Sequence, residues 1–228
     1  MSTITLLHFK TTRNIEEIEK ELNKISEENY WIIANKENEK LLKIIFNYKV
    51  SLEDELRKVL SISEIRNIFN GISSQLLTRR IVAYMHFDKE ILEVERGPDY
   101  IFSFFISVLE KNLKIKFVNL YISSNALLKI IERYSISLNQ IYFKFVNGLL
   151  FEMYKGKFLQ YSDFIKRKIE ENRKNIRIIT ILPKIKFRGA PKSITINGDK
   201  GTIKFYSKEI FRDEINQIIN IIFESTKF

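Results

Sequence analysis

The chain has 228 residues, of which 45% are hydrophobic, and its formal net charge is +10. This length and apolar content favour a globular protein with a real core, built as one large domain or two small ones. Cysteine is absent, which excludes disulfides, iron–sulfur clusters and thiolate zinc sites, and two histidines are too few for an imidazole-rich metal centre.

Hydrophobic periodicity predicts strands and helices that alternate along the chain, with Asn14, Ser124 and Ser162 as helix N-caps. The predicted strands are 3–9, 30–34, 41–50, 80–87, 90–96, 114–122, 140–146, 149–154, 176–182, 193–197 and 202–206. The predicted helices are 15–27, 51–60, 100–111, 125–133, 163–173 and 209–224.

This order predicts an α+β fold in which antiparallel β-hairpins are interleaved with helices and the sheets are covered by helices on one face. The breakers at 70–74, Asn-Gly-Ile-Ser-Ser, are the best candidate for a domain boundary. We therefore expect a small β-α-β-β-α domain at 1–70 and a larger domain of hairpin-plus-helix units at 79–228. A single continuous domain is the alternative.

The N-terminus lacks the features of a secretory signal, and the most apolar stretch, 101–109, is far shorter than the roughly 20 residues of a membrane span. We therefore expect a cytoplasmic protein without a membrane partner.

Positive charge is concentrated between Lys166 and Lys208. This segment has thirteen Lys or Arg residues and three acidic ones, a balance of +10, so the rest of the chain sums to zero. A local excess of this kind indicates a surface that meets phosphates.

Within this segment, the loop at 184–192 and the hairpin after it are the strongest candidates for a binding site. The loop cations have no acidic neighbour inside the loop, Gly189 lets backbone approach a phosphate, and Phe187 offers a ring for an unpaired base. The candidate nucleic-acid-binding residues are Lys184, Lys186, Phe187, Arg188, Lys192, Lys200 and Lys204.

We therefore interpret the chain as a sequence-independent DNA- or RNA-binding protein without catalysis, cofactor or metal. No helix-turn-helix, zinc finger or RNA-recognition signature supports base reading, and no phosphate-binding glycine loop is present. A basic surface without any ligand is the plain alternative.

Two further alternatives remain open. Asp88, Glu93, Glu95 and Asp99, with His86, could hold Mg²⁺ for phosphodiester cleavage, although a hairpin turn, a solvated strand face and a helix start are the favoured explanation of these acidic residues. A non-enzymatic scaffold could instead bind a protein partner by strand addition or through an apolar patch, and surface Ile and Phe would favour it.

Overall fold

The computed structural model describes residues 2–56, 61, 63–65, 76–146, 148–207 and 209–226. These residues form eleven strands, and six helices have their bounds within them. The strands are β1 (Ser2–His8), β2 (Tyr30–Asn38), β3 (Leu41–Ser51), β4 (Leu76–His86), β5 (Ile91–Glu95), β6 (Val118–Asn119), β7 (Ser135–Val146), β8 (Leu149–Lys155), β9 (Ile176–Pro183), β10 (Ile194–Asn197) and β11 (Thr202–Phe205). The helices are α1 (Ile15–Leu22), α2 (Leu52–Leu56), α3 (Asp99–Leu113), α4 (Ser124–Tyr134), α5 (Asp163–Glu171) and α6 (Arg212–Thr226).

The predicted α+β class is confirmed, because antiparallel strand pairs alternate with helices that pack on them. The chain forms two compact units. Unit 1 comprises Met1–Phe9, Ile91–Arg96 and Phe117–Phe228, and unit 2 comprises Lys10–Glu90 and Gly97–Lys116. The expected division into 1–70 and 79–228 stays a prediction, because its boundary at 70–74 lies outside the described residues.

Unit 2 is built on the antiparallel strands β2, β3 and β4. Asn14 caps α1 as predicted, since its side chain accepts a hydrogen bond from the Glu17 backbone N–H at 2.8 Å. Phe46 on β3 is fully buried, and its ring lies 5.0 Å from that of Phe105 on α3 and 5.7 Å from that of Tyr30. Aromatic packing therefore joins α3 to β2 and β3.

Unit 1 is an antiparallel sheet in the order β5-β1-β11-β10-β9-β7-β8, with β6 added beside β1. Buried side chains alternate with partly exposed ones along β10 and β11, whereas residues 4–7 of β1 and 91–94 of β5 are buried in succession. The core includes Ile196, Ile203 and Phe205 from the last hairpin, together with buried side chains of α4, α5 and α6. These three helices cover one face of the sheet.

The turn of the β10–β11 hairpin inserts closely beside other backbone segments of unit 1. The Leu6 N–H donates to the Gly201 carbonyl at 2.8 Å, and the Ile122 N–H donates to the Gly198 carbonyl at 3.0 Å. A Cβ at Gly201 would lie 2.5 Å from the Leu120 carbonyl oxygen, and one at Gly198 would lie 2.4 Å from that of Ile122. Glycine is needed at both positions because there is no room for a side chain.

Several element bounds differ from those predicted. The region 114–122 contains only the two-residue strand β6, and Lys114 has a left-handed backbone (φ 57°) that ends α3. Ser123 rather than Ser124 caps α4, while Ser162 caps α5 as predicted. The last helix begins three residues later than predicted, at Arg212.

No helix among the described residues is long and apolar enough to cross a membrane.

Candidate nucleic-acid interface

The basic loop at 184–192 joins β9 to β10 and is held against α6. The backbone N–H of Lys186 donates to the side chain of Gln217 at 3.1 Å, and the Arg188 backbone N–H donates to the Glu214 carboxylate at 2.8 Å. Lys184 is also fixed, because its backbone N–H donates to the Tyr134 carbonyl at 2.7 Å. Side chains of α6 therefore fix the path of a loop that has no regular structure of its own.

Two loop cations have acidic partners that lie outside the loop. Lys192 Nζ lies 2.8 Å from Glu214 Oε2, and Arg188 Nε lies 3.2 Å from Asp213 Oδ2. The two pairs differ in burial. The Lys192 and Glu214 side chains are 11% and 1% exposed, whereas those of Arg188 and Asp213 are 63% and 47% exposed. The Lys192 charge is thus neutralised inside the protein, while Arg188 still faces solvent.

Glu214 is the polar centre of this junction. Burial raises the pKa of its carboxyl group, but hydrogen bonds from Lys192 and from the backbone N–H groups of Arg188 and Phe211 outweigh burial, so the pKa lies below its ordinary value. The carboxylate accepts from Lys192 Nζ at 2.8 and 3.0 Å and from the Phe211 N–H at 3.3 Å. It is therefore a structural anion that binds the loop to α6.

Phe187 is partly buried, and it lies near a second ring, Phe211. Lys192 Nζ lies 6.0 Å from the centre of the Phe187 ring and 5.1 Å from that of Phe211. The Arg188 guanidinium lies 5.0 Å from the Phe211 ring centre. These contacts are cation–π interactions within the junction. Stacking of a base on Phe187 stays a prediction.

Lys184 and Lys186 are the exposed cations of the first half of the loop. Lys184 Nζ donates to the Arg133 carbonyl at 3.3 Å, beside the C-terminal end of α4. No ion pair involves Lys184 or Lys186 among the residues the structure describes. Their charges are therefore available to an anionic partner.

The two remaining candidates lie on the last hairpin, at different places. Lys200 is exposed in the turn, where its backbone N–H donates to Asn197 Oδ1 at 3.1 Å. Lys204 lies on β11 beside Thr195 of β10 and points away from the buried Ile203 and Phe205, as the alternation predicted. Its Nζ lies 5.6 Å from the centre of the Tyr206 ring.

The candidate residues therefore occupy three places in unit 1 instead of one cluster. The loop cations lie at the end of the hairpin where β10 begins and β11 ends, Lys204 lies along the hairpin, and Lys200 lies in its turn. Asp199 in that turn is paired with Arg177 at 3.3 Å and with Lys144 at 3.6 Å. An extended polyanion, rather than a single phosphate group, fits such a distribution.

Two acidic residues of the nuclease alternative are paired with cations. Glu93 is buried and its carboxylate lies 2.6 Å from Arg212 Nη1. Asp88 lies 3.0 Å from Lys89 Nζ. No group of three or more His, Cys, Asp or Glu side chains that could hold a metal ion occurs in the described part of the chain. His86 is buried, with 5% of its surface exposed.

Large apolar side chains are exposed around the β7–β8 hairpin. Phe145, Leu150, Phe151 and Met153 are 67%, 74%, 53% and 48% exposed. In the described residues of unit 1, β8 pairs only with β7, so its other edge is open. Phe151 and Met153 share one face of β8 and Leu150 lies on the other; exposed apolar side chains are the feature expected of the scaffold alternative.

The sequence alone does not reveal the acidic partners of the loop or the side chains that β7 and β8 present beside the β10–β11 hairpin. Asp213 and Glu214 could have been suspected, because they are acidic residues near the start of a predicted helix that follows the basic loop.

Comparison with protein-family models and with curated proteins gives no match for this chain.

Proposed function

We propose that this protein binds nucleic acid without sequence preference, through the cations of the loop at 184–192 and of the β10–β11 hairpin. The observation that carries the proposal is the charge distribution, since residues 166–208 hold the whole net charge of +10. Exposed or half-exposed cations lie in all three places. These are Lys184, Lys186 and Arg188 in the loop, Lys204 along the β10–β11 hairpin and Lys200 in its turn. Lys192 has a structural role in this proposal, because its charge is buried against Glu214.

The mechanism is replacement of condensed counterions on the phosphate backbone. Each Lys or Arg that neutralises a phosphate releases about 0.7 counterions from a single strand and about 0.9 from a duplex. Five cations would therefore give a slope of log K against log salt of about −3.5 for a single strand. Between 50 and 200 mM salt, such a slope weakens binding by about a hundredfold.

The test is fluorescence anisotropy of labelled single- and double-stranded DNA and RNA over a series of salt concentrations, with and without Mg²⁺. A variant with Lys184→Glu and Lys186→Glu should bind at least tenfold more weakly. A variant with Lys20→Glu and Lys24→Glu, two exposed positions of unit 2, has the same net charge and should bind nearly as well as the parent protein. Equal weakening in both variants would show that only net charge matters and would remove the loop from the site.

A protein scaffold is the second candidate function, favoured by the exposed apolar side chains of the β7–β8 hairpin. The free edge of β8 could add a strand from another chain, which supplies main-chain hydrogen bonds. Sedimentation velocity over a range of concentrations tests the case of a second copy. The substitution Leu150→Lys should abolish association by this surface, and a monomer at every concentration would argue against self-association.

A further inference from the structure

The sheet of unit 1 has a second face, opposite to the one that α4, α5 and α6 cover. We call it the open face. It consists of the outward side chains of β11, β10, β9, β7 and β8 together with Tyr206, which follows β11. Cross-strand pairing brings Lys204, Thr195, Thr180, Gln140 and Lys155 into one row, and Thr202, Asn197, Ile178, Tyr142 and Met153 into the next.

The charge of the open face is positive. Lys204, Lys155 and Lys144 lie on it, whereas no Asp or Glu occupies an outward position on the described residues of these five strands. Glu152 on β8 lies on the other face, where its carboxylate is 3.6 Å from Lys168 of α5. Lys144 is engaged at 3.6 Å by Asp199 from the neighbouring turn. Two lysines, at opposite edges of the row, are thus left for a polyanion.

The aromatic rings of the open face are exposed and held in place. Tyr206 is 47% exposed, and its hydroxyl group lies 3.1 Å from that of Thr195, which in turn lies 2.7 Å from that of Thr180. Phe151 is 53% exposed, and its ring stacks on that of Tyr142 with 5.3 Å between centres and 19° between planes. Ordered rings of this kind lose little entropy when a flat partner stacks on them.

We infer that the open face binds single-stranded nucleic acid, with bases stacked on Tyr206 and Phe151 and phosphates near Lys204 and Lys155. This inference rests on the proposed function and names its substrate class. Tyr206 follows β11 and Phe151 lies on β8, so the two rings are separated by four strand spacings across the sheet, about 19 Å, and by three two-residue steps along the strands, roughly 20 Å. A duplex cannot offer base faces to such rings because its bases are stacked inside, whereas a single strand can.

The polar content of the open face favours this partner over an apolar protein surface. Thr195, Asn197 and Gln140 lie between the two rings and are partly exposed, whereas β9 contributes the buried Thr180 and the apolar Ile178. The partly exposed polar side chains can bond to phosphates, sugars and base edges, and lysine at both margins matches a polyanion. Phosphate contacts alone would not require exposed rings.

The first experiment compares three labelled 16-nucleotide probes at one salt concentration, namely single-stranded oligothymidine, an abasic strand of the same length and a duplex. The parent protein should bind oligothymidine about tenfold more tightly than the abasic strand. Phe151→Ala and Tyr206→Ala should each weaken oligothymidine binding by about fivefold or more and leave abasic binding unchanged. Leu150→Ala is the matched control, because Leu150 is more exposed than Phe151, adjacent in sequence and on the other face.

A second measurement does not depend on losing a side chain. The protein has one tryptophan, Trp31 in unit 2, so Trp31→Phe with Phe151→Trp places the only indole on the open face. Oligothymidine should quench its fluorescence by stacking, and the abasic strand should not. The corresponding Leu150→Trp protein should show no such difference.

The outcomes separate the two proposals. Equal binding of the oligothymidine and abasic probes, or no quenching of Trp at position 151, would overturn the open-face inference and leave phosphate binding by the loop intact. Binding of none of the three probes at low salt would overturn the proposed function and this inference together. Loss of self-association in Phe151→Ala with unchanged oligothymidine binding would assign the ring to a protein contact and would also overturn the inference.

Discussion

Glu214→Gln is the substitution whose effect the structure defines most sharply. The Glu214 carboxylate is buried and neutralises Lys192, whose side chain is only 11% exposed. Glutamine keeps the size of the side chain, but it removes the charge and keeps an acceptor oxygen for only one of the two backbone N–H groups, those of Arg188 and Phe211. Lys192 would then be a nearly buried cation without a counter-ion, which costs about 3–5 kcal/mol.

The assay is thermal and urea unfolding of the variant and the parent protein. For a chain of this size, each kcal/mol lowers the melting temperature by about 2–4 °C, so the expected decrease is roughly 6–20 °C. Asp213→Asn is the matched control. It removes a carboxylate from the adjacent residue of the same helix turn, but its partner Arg188 is 63% exposed, so the cost should be about 0–1 kcal/mol.

The double substitution Lys192→Met with Glu214→Gln removes both charges and keeps an acceptor oxygen for one backbone N–H group. It should be more stable than Glu214→Gln alone, because it no longer contains the unpaired lysine. Equal loss of stability in Glu214→Gln and Asp213→Asn would refute the reasoning, since burial would then not distinguish the two pairs.

Three other predictions concern the same unit. Folding lowers the pKa of Glu214, so its carboxylate stabilises the protein fully at pH values above the ordinary pKa of a glutamate. This stabilisation is lost as the pH falls through the pKa of the folded state. The free energies of unfolding in urea of the parent protein and of Glu214→Gln should therefore converge at acid pH. Gly201→Ala should lower the free energy of unfolding in urea by about 2–4 kcal/mol, because the added Cβ would lie 2.5 Å from the Leu120 carbonyl oxygen at a residue with φ 60°. Gly189→Ala, at φ 98° with nothing within 4 Å of the added Cβ, should cost only about 1 kcal/mol. Lys204→Gln should reduce the salt slope for single strands by about 0.7 in anisotropy titrations, and an unchanged slope would exclude a phosphate contact there.

Local signals predicted much of the fold. The turn at 198–201 and the alternation of 202–206 gave the β10–β11 hairpin and the outward direction of Lys204, and the caps at Asn14 and Ser162 are where the sequence placed them. These features depend on residues within a few positions of one another. The predicted strand at 114–122 is wrong because the apolar residues there serve core packing in a segment that is mostly irregular. Ile115 and Phe117 are buried, but only Val118–Asn119 pairs as a strand.

The chemistry of the candidate site could not be predicted in the same way. The contacts of Lys192 with Glu214 and of Arg188 with Asp213 join residues 22 and 25 positions apart, and they exist only because α6 docks beside the loop. The sequence shows all four charges but not their pairing. The predicted set therefore contained Lys192, which the fold uses internally, as an equal of the exposed Lys186.

The open face illustrates a second limit. The row from Lys204 to Lys155 depends on the pairing of β9 with β7, which are separated by a hairpin and a helix, and on irregularities in that register. A shift of one residue would turn every side chain of a strand to the other face. Alternation within 140–146 and 149–155 shows which residues lie on the same face of one strand. It does not show which residues of a neighbouring strand lie beside them on that face of the sheet.

The affinity of the parent protein for a labelled single strand, measured as a function of salt concentration, decides whether the loop and hairpin cations bind a phosphate backbone. We expect binding at low salt that weakens by about a hundredfold between 50 and 200 mM, with a slope near −3.5, and a smaller slope in the variant with Lys184→Glu and Lys186→Glu. No binding to any nucleic acid at low salt, or binding that does not respond to salt, would contradict this expectation.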